Sequence, residues 1–375
     1  MTMRKTLLTF RPLLLAFMAF GGACTGASAE HPFKVSPIAK FSVPWAMTFL
    51  PDGRLLVTEK AGKLLLVTQG GEKTAVAGVP AVDYGGQGGL GDVVLHPDFA
   101  DNDLIYLSYV EAGSNNTRGA VVVRGQLSLA NEPTFSDSET IWRQYPKVSG
   151  RGHYGYRLTF SDDGYLFVSS GERQQFDPAQ DMQANLGKIL RLNDDGSVPN
   201  DNPFVDEGGV TAEIWSLGHR NPLGLAFDSA GRLWNNEMGP AGGDELNLVK
   251  RGNNYGYPIV SNGDHYGGGD IPDHDTRPEF AAPATWWTPV ISPSSLIFYD
   301  GDQFPEWAGN GLIGGLSSQA LIRVALDGVA AQEVARYDMG ERIRAVQQGP
   351  DGAVWLLEDG RGGRLLKLTP ADANQ

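Results

Sequence analysis

The sequence is poor in cysteine and in long apolar segments. Its 375 residues include a single cysteine, which excludes a scaffold held together by disulfides within the chain. Beyond the first 29 residues, no segment reaches the ~20 apolar residues that a membrane-spanning helix requires. The formal charge of −14 disfavours nucleic acid and anionic lipid as partners, because binding to both depends on neutralising phosphate groups. These absences favour a soluble protein with no membrane span and no nucleic-acid partner.

The N-terminus has the composition of a secretory signal peptide. The first 29 residues carry three basic side chains ahead of an apolar run, contain no acidic residue, and end in Ala-Ser-Ala. We expect cleavage after Ala29, which leaves one domain over 30–375 in the periplasm. A lipoprotein anchored through Cys24 is disfavoured, because Gly21 stands where such signals usually carry leucine. Since cleavage removes the cysteine, thiol chemistry is excluded from the mature domain.

A short phrase recurs along the chain and predicts an all-β fold built from repeats. In most copies an aspartate is followed within a few residues by a glycine and then by a run typical of a β-strand. The copies contain Asp52, Asp98, Asp163, Asp228 and Asp351. The last interval is close to twice the one before it, which indicates that one further copy is degenerate. Six units of this length predict a six-bladed β-propeller with four-stranded antiparallel blades.

The composition agrees with a propeller. The 49 glycines and 23 prolines are typical of a chain with many turns, and the glycine of each Asp-Gly turn supplies the positive φ that such turns require. A β-sandwich made of unrelated hairpins is the alternative. Between Asn253 and Pro293 the strand signals are few, which predicts a long inserted loop, and loops of this length usually carry function.

A glycine-rich loop precedes the second unit. The segment 86–91 matches the pattern of dinucleotide-binding loops. It runs into a strand over 92–95, whereas a dinucleotide site needs a helix there, so nucleotide binding is rejected. Gln87 remains a candidate hydrogen-bonding partner for a ligand on the channel side.

A histidine and a glutamate flank one predicted strand pair. His153 precedes a strand, and Glu172 follows the next strand, which ends at Ser170. A chain that runs out through a turn and back would return Glu172 to the neighbourhood of His153, where a carboxylate can orient an imidazole. This pattern predicts a general base, although a lone histidine is more often a structural hydrogen-bonding residue.

Arginine and exposed carbonyl groups point to an anion and a hard cation. Arg220 and Asn221 lie in Gly-His-Arg-Asn-Pro, and Arg342 and Arg344 are two residues apart, which places both on one face of a strand. Arginine offers a planar fork of donors for carboxylates, and a loop such as 239–243 exposes carbonyl oxygens of the kind that Ca²⁺ accepts. The pattern predicts a multiply charged anion held partly through a metal ion. Two arginines on an outer strand facing solvent are the alternative.

Several phrases of the chain resemble a known family, the soluble quinoprotein glucose/sorbosone dehydrogenases, and above all its aldose sugar dehydrogenase branch. The matching phrases extend from Pro44 to Gly352. They are Gly86-Gln87-Gly88-Gly89-Leu90, His153 with Arg157-Leu158, Gly218-His219-Arg220-Asn221-Pro222, Gly239-Pro240 with Asp244-Glu245, and Asn254-Tyr255-Gly256-Tyr257-Pro258.

The resemblance implies a propeller that holds pyrroloquinoline quinone (PQQ) and Ca²⁺ at one mouth of its channel. It implies oxidation of the anomeric hydroxyl of an aldose to a lactone, with electrons passed to an external quinone, cytochrome or dye, by a monomer or homodimer. The catalytic residues that it implies are His153 as base, Glu172 and Arg220. The residues that it places on PQQ are Gln87, Arg157, Arg220, Asn221, Ser317, Arg342 and Arg344. Calcium is assigned to Gly239 and Pro240, with Glu245 and Tyr255 at a second, structural site.

Two departures from the family pattern affect this interpretation. The segment 316–319 reads Leu-Ser-Ser-Gln where the family commonly has a lysine against the quinone, so one charged contact is missing near Ser317. Tyr156 replaces the glycine usual before Arg157, and its phenol could narrow the sugar site.

Three other functions are compatible with the same residues. They are a non-catalytic propeller that has lost the quinone, a dehydrogenase for sorbosone or another aldehyde, and a calcium-dependent lactonase or phosphotriesterase. The last is disfavoured, because such propellers ligate the metal with acidic and amide side chains from several blades, whereas the candidate ligands here cluster in one loop.

Overall fold

The computed structural model describes residues 31–371, which fold into six four-stranded antiparallel sheets arranged around a central channel. The predicted six-bladed β-propeller is therefore confirmed. The predicted signal peptide and Cys24 lie outside the described residues. Within residues 31–371 no helix has both the length and the apolar character needed to cross a membrane.

The blades follow one another along the chain. The first strand is β1 (Phe33–Ser42). Blade 1 consists of β2 (Pro44–Phe49), β3 (Leu55–Glu59), β4 (Lys63–Val67) and β5 (Lys73–Val76). Blade 2 consists of β6 (Leu90–Leu95), β7 (Leu104–Ala112), β8 (Arg118–Ser128) and β9 (Thr134–Arg143). Blade 3 consists of β10 (Gly155–Phe160), β11 (Leu166–Ser170), β12 (Lys188–Leu192) and β13 (Ile214–Leu217).

The second half of the ring has one additional ribbon. The strands in and beside blade 4 are β14 (Pro222–Phe227), β15 (Leu233–Glu237), β16 (Ala241–Gly242), β17 (Asp244–Leu248), β18 (Gly263–Asp264) and β19 (Thr285–Trp287). Strands β16 and β18 form a separate two-stranded ribbon. Blade 5 consists of β20 (Pro293–Phe298), β21 (Gly311–Gly315), β22 (Ala320–Asp327) and β23 (Ala330–Asp338). Blade 6 consists of β24 (Ile343–Gln348), β25 (Val354–Glu358), β26 (Arg361–Pro370) and β1.

Helical structure is confined to short connections. The one α-helix among the described residues is α1 (Phe99–Asn102). The 3₁₀ helices there are Asp177–Ala179, Val205–Glu207, Gly209–Glu213, His274–Thr276 and Pro305–Trp307.

The ring closes through a strand taken from the opposite end of the chain. Strand β1 pairs antiparallel with β26, from Phe33 opposite Pro370 to Ser42 opposite Arg361. The N-terminal strand thereby becomes the outer strand of the last blade. Backbone hydrogen bonds along this pair hold β1 in blade 6, and the chain then continues directly from β1 into β2 of blade 1, which closes the ring.

The recurring aspartates occupy one structural position. Asp52, Asp163 and Asp351 lie in the turn between the first and second strands of their blades, where the glycines that follow have φ of 85°, 85° and 79°. A side chain at such φ values is strained, which explains the repeated glycine. In blade 5 the corresponding connection, 299–310, is longer and carries the 3₁₀ helix Pro305–Trp307, so this is the degenerate copy.

The first strands of neighbouring blades contact one another around the ring and line the channel. Between blades, apolar side chains form the core, and Tyr106, Trp234 and Trp355 are completely buried there. The stretch 253–293 is mostly irregular, as its sequence predicts, but it also supplies β19, the outer strand of blade 4. Because all six channel strands begin at the same mouth, residues at their first positions converge there.

Candidate active site

A cavity of about 370 Å³ lies at the mouth where the channel strands begin. Its wall includes Trp45 at the start of β2, Tyr156 at the start of β10 and Arg344 at the start of β24. A second cavity, also of about 370 Å³, contains Gly239 and Pro240, and the two cavities share Met238 and Ser292. Together they form one depression with room for a multi-ring ligand, since such sites span ~300–1,000 Å³.

His153 and Glu172 form a hydrogen-bonded pair in which Nδ1 of the imidazole meets the Glu172 carboxylate. Glu172 is buried, and its second oxygen accepts from the backbone N–H groups of Gln175 (2.6 Å) and Phe176 (2.8 Å). A carboxylate held in this way keeps the proton on Nδ1 and leaves Nε2 free to accept one. The pair is thus suited to general-base catalysis.

The electrostatic surroundings keep this histidine neutral. Burial lowers the pKa of His153 below its ordinary value, an effect that the Glu172 hydrogen bond opposes and the Arg220 charge reinforces. Burial by itself raises the pKa of Glu172. The hydrogen bond and charge of His153, the Phe176 N–H and the Arg220 charge together outweigh burial and leave that pKa below its usual range. A neutral imidazole beside an ionised carboxylate is the protonation state that a base requires.

The backbone around the pair is strained. His153, Tyr156, Arg173 and Phe176 have φ of 47°, 50°, 64° and 64°, in a region that side chains other than glycine seldom adopt. Gly171 permits the close approach, because a Cβ there would lie 2.2 Å from the His153 carbonyl oxygen. Strain of this kind is retained where the surrounding structure over-determines it, as at active sites.

Gln87 and Arg173 hold the histidine segment in place. The Gln87 side chain accepts from the His153 backbone N–H at 2.8 Å, and its carbonyl accepts from the Tyr156 hydroxyl at 2.9 Å. The buried Arg173 guanidinium donates to the carbonyls of Gly150 and Gly152, each at 2.8 Å. Gln87 also lines the cavity. The glycine-rich loop before β6 therefore connects the cavity wall to the His153 segment before β10.

Arg220 and Asn221 contribute buried donors that lack partners. Arg220 Nη1 donates to the Met238 carbonyl at 3.0 Å, and the side-chain Oδ1 of Asn221 accepts from the Gly155 N–H at 3.3 Å. Arg220 Nε and Asn221 Nδ2 are buried without a hydrogen-bond partner among the described residues. Buried donors are nearly always satisfied, so this pair indicates that a ligand with acceptor atoms belongs beside them.

Arg342 and Arg344 both line the cavity, although only Arg344 lies in a strand, because β24 begins at Ile343. Their Nε atoms donate to the two oxygens of Asp359, at 2.9 Å and 3.0 Å. Burial by itself raises the pKa of Asp359, but the charges and hydrogen bonds of Arg344 and Arg342 together outweigh burial and lower that pKa below its ordinary value, so the carboxylate stays ionised. Asp359, which sequence reasoning missed, thereby orients both arginines and offsets only one of their two charges.

Arg157 lies beneath the cavity, behind Trp45. Its guanidinium is 4.1 Å from the centre of the Trp45 ring, and its Nη1 pairs with the Asp92 carboxylate at 3.0 Å. Trp45 lines the upper cavity, whereas Arg157 and Asp92 line a cavity of about 340 Å³ deeper in the channel. The structure therefore brings Arg157 against the floor of the site and not into its interior.

The two departures from the family pattern lie at Tyr156, which lines the cavity, and near Ser317, which does not. Tyr156 is 1% exposed, and its ring packs 4.9 Å from that of Trp45, so the phenol is a fixed part of the wall. Ser317 is exposed and its hydroxyl donates to the Val290 carbonyl at 3.3 Å. Val290 belongs to the cavity that contains Gly239 and Pro240, whereas Ser317 lines neither cavity.

The loop 239–244 is fixed by a buried carboxylate. Asp244 accepts from the Gly239 N–H at 2.8 Å and from the N–H groups of Ile291 (2.7 Å) and Ser292 (2.6 Å). Burial outweighs these hydrogen bonds and raises the pKa of Asp244 to about 6. The carboxylate ties the loop to the segment before β20 and presents the Gly239-Pro240 turn to the cavity.

Glu245 and Tyr255 lie deeper in blade 4. The Glu245 carboxylate contacts His274 Nε2 at 3.3 Å and Asn247 Nδ2 at 3.1 Å. The Tyr255 ring stacks on His219 with 4.7 Å between ring centres. Among residues 31–371 no three His, Cys, Asp or Glu residues cluster as metal ligands, so a cation in this region would depend on carbonyl and amide oxygens.

Comparisons with known proteins show which family the chain is similar to. A sequence model described as glucose/sorbosone dehydrogenase matches residues 41–367. The chain is 42% identical over 340 residues to aldose sugar dehydrogenase YliI of Escherichia coli K12, covering 88% of this chain and 91% of that protein. The crystal structure of the apo-form of the E. coli aldose sugar dehydrogenase matches with a TM-score of 0.86 at 41% identity, covering 90% of this chain and 100% of that one. The PQQ-bound aldose sugar dehydrogenase of Streptomyces coelicolor matches with a TM-score of 0.74 at 30% identity, covering 90% and 98%.

Proposed function

The chain belongs to the glucose/sorbosone dehydrogenase family, and from this premise we propose that it is a PQQ- and calcium-dependent aldose dehydrogenase. The reaction proposed is oxidation of the anomeric hydroxyl of an aldose to the lactone, with electrons passed to an external acceptor. One observation carries the proposal. His153, which pairs with Glu172, directly precedes Tyr154 and Gly155 of the positively charged cavity wall and donates its N–H to Gln87 of that wall. The backbone of Glu172 bonds to that of Arg220, whose Nε is an unpartnered donor, as is Asn221 Nδ2.

The residues present fit PQQ. The cofactor is a planar tricarboxylate, and its carboxylates and carbonyls are acceptors for the buried Arg220 Nε and Asn221 Nδ2. Arg342 and Arg344 carry one charge more than Asp359 offsets, and this excess suits an anion. When bound, PQQ would supply the two-electron acceptor for the hydride that leaves the sugar.

Calcium fits the Gly239-Pro240 turn through its carbonyl oxygens. Ca²⁺ takes six to eight oxygen ligands and accepts backbone carbonyls readily, and a cofactor carboxylate could complete the set. In this scheme Asp244 holds the turn in position through the Gly239 N–H. A second calcium ion at Glu245 and Tyr255 is also part of the proposal.

The protein's contribution to the reaction is proton transfer and orientation. His153 Nε2 would take the proton of the anomeric hydroxyl, because Nδ1 is committed to Glu172. Glu172 would stabilise the imidazolium that results. Tyr156 and Trp45 would limit the space open to the sugar and exclude water from the floor of the cavity.

The proposal also includes export to the periplasm through the signal peptide. It further includes transfer of electrons to a quinone, a cytochrome or a dye. The acceptor would be external, because the side chains that line the cavity do not store electrons between turnovers. A monomer and a homodimer are both consistent with a site built entirely from one chain.

Reconstitution tests the proposed function directly. Purified cofactor-free protein should gain dye-reducing activity with aldoses when both PQQ and Ca²⁺ are added, and should lose it when a chelator removes calcium. Activity with sorbosone or another aldehyde, but not with aldoses, would reassign the substrate. PQQ binding without turnover would support the non-catalytic propeller, and lactone hydrolysis without PQQ would support the hydrolase.

The protonation state of the base can be measured separately. In cofactor-free protein, the His153 imidazole should titrate below its ordinary value of ~6.5, because burial outweighs the Glu172 hydrogen bond. NMR titration of labelled histidine would measure this. In the variant Glu172→Gln the midpoint should fall further, since the opposing hydrogen bond to a carboxylate is lost. A midpoint above 6.5 in the unaltered protein would contradict the assignment.

A further inference from the structure

A lysine that sequence reasoning did not single out lies in the proposed cofactor cavity. Lys60 directly follows β3, and its side chain lines the cavity together with Arg342 and Arg344. The residue is only 8% exposed, although lysine is almost never buried without a partner. Its Nζ donates to the Gly86 carbonyl at 2.7 Å. An ammonium group has three donors, and within residues 31–371 the Lys60 ammonium donates to the Gly86 carbonyl alone.

The charges around Lys60 leave the cavity positive. Asp359 is the nearby carboxylate, but its two oxygens already accept from Arg342 and Arg344. Three cationic side chains therefore share one anionic partner on this wall. Ser317, at the position where a lysine is expected from the family pattern, lies outside the cavity and is exposed.

We propose that Lys60 binds the anionic quinone directly and supplies the cationic contact that the segment 316–319 lacks. This inference rests on the proposed function and extends it to a residue of blade 1. The geometry brings Lys60 to the same wall as Arg342 and Arg344 of blade 6, on the side of the cavity nearest the glycine-rich loop.

A structural role for Lys60 is the competing explanation. Its hydrogen bond to Gly86 could serve only to hold the loop that carries Gln87. The backbone of Lys60 also binds this region, because its N–H donates to Val43 and its carbonyl accepts from Leu90. Those two bonds persist when the side chain is changed, so loss of the ammonium tests the side chain alone.

The protonation of Lys60 gives the test a second readout. Burial, together with the charge of Arg344, lowers the pKa of Lys60 to about 8. The other ionisable groups around it are Arg342, Arg344, Asp359, Tyr84, Tyr154 and Tyr156. Burial raises the pKa of Tyr154 and Tyr156 above the ordinary tyrosine value, and arginine stays charged. Loss of a positive charge above pH 8 would therefore come from Lys60.

The experiment is a titration of cofactor-free protein with PQQ in the presence of Ca²⁺, followed by absorbance, between pH 7 and 9.5. Lys60→Met should raise the Kd about 10- to 100-fold at pH 7, because it removes a hydrogen bond to a charged group. Lys60→Arg should keep the affinity within a few-fold. The unaltered protein should bind more weakly as the pH rises through 8, whereas both variants should show a flat profile.

Lys63→Met is the matched control, since Lys63 is exposed at the start of β4. It should leave the Kd unchanged. Equal PQQ affinity in Lys60→Met and the unaltered protein would overturn this inference and leave the proposed function standing. Thermal unfolding of the cofactor-free proteins would then show whether loss of the Lys60–Gly86 hydrogen bond has destabilised the glycine-rich loop. No PQQ binding by the unaltered protein would overturn the proposed function itself, and this inference with it.

Discussion

His153→Gln should lower kcat with aldose by about 10²–10⁴-fold, the usual contribution of a general base. Glutamine preserves a hydrogen-bonding group of similar size but cannot take up a proton. PQQ affinity should change little, because the proposed binding groups are those of Arg220, Asn221 and the blade 6 arginines. Steady-state dye reduction at saturating PQQ and Ca²⁺ gives kcat, and absorbance titration gives the Kd.

The control is His31→Gln, which changes a histidine that packs on Phe33 and Tyr337 in the outer part of the ring. This variant should keep both kcat and Kd. If His153→Gln lost PQQ binding and turnover to the same extent, His153 would hold the cofactor and would not act as the base.

Arg157→Met should lower the free energy of unfolding by about 3–5 kcal/mol, the cost of removing one partner of a buried ion pair. Arg157 Nη1 pairs with Asp92 Oδ1 at 3.0 Å, and Asp92 is 3% exposed. Burial raises the pKa of Asp92, and Arg157 is the main opposing influence. The variant would leave that carboxylate with the N–H groups of Val93 and Leu158 alone. Urea denaturation measures the loss.

The pH dependence and a double variant complete this test. A carboxyl group whose pKa is higher in the folded than in the unfolded protein destabilises the fold increasingly as the pH rises above ~3.9, the ordinary pKa of aspartate. The loss in Arg157→Met should therefore be larger at pH 7 than at pH 5. Asp92→Asn combined with Arg157→Met removes the unpaired charge and should recover much of the stability. If the double variant were no more stable than Arg157→Met, loss of packing against Trp45 would explain the effect.

Local patterns account for the parts of the protein that the sequence predicts well. The Asp-Gly turns depend on the positive φ of a single glycine, so Asp52-Gly53 and Asp351-Gly352 mark the strand pairs without knowledge of the rest of the fold. His153 and Glu172 flank one strand pair, β10 and β11, and an antiparallel pair returns the chain to where it began. Their contact in the structure follows from that local geometry.

Contacts between blades could not be predicted in the same way. Lys60 and Asp359 reach the cavity from blades 1 and 6, and no motif in the sequence connects them. Arg157 belongs to a sequence motif typical of the family. Its position on β10 nevertheless directs its side chain to Asp92 of blade 2 and to the ring of Trp45 of blade 1. Which face of a channel strand meets the cavity depends on the bulge at the start of that strand.

The sequence by itself determined the six-bladed ring, the contact of His153 with Glu172 and the proximity of Arg342 to Arg344, because each depends on turns and on residues that lie close together in the chain. Only the tertiary structure decided which charges meet in the cavity and which lie beneath it. Closure of the ring brings the first residues of six separate strands to one mouth, and the balance of Lys60, Arg342, Arg344 and Asp359 exists only after that closure.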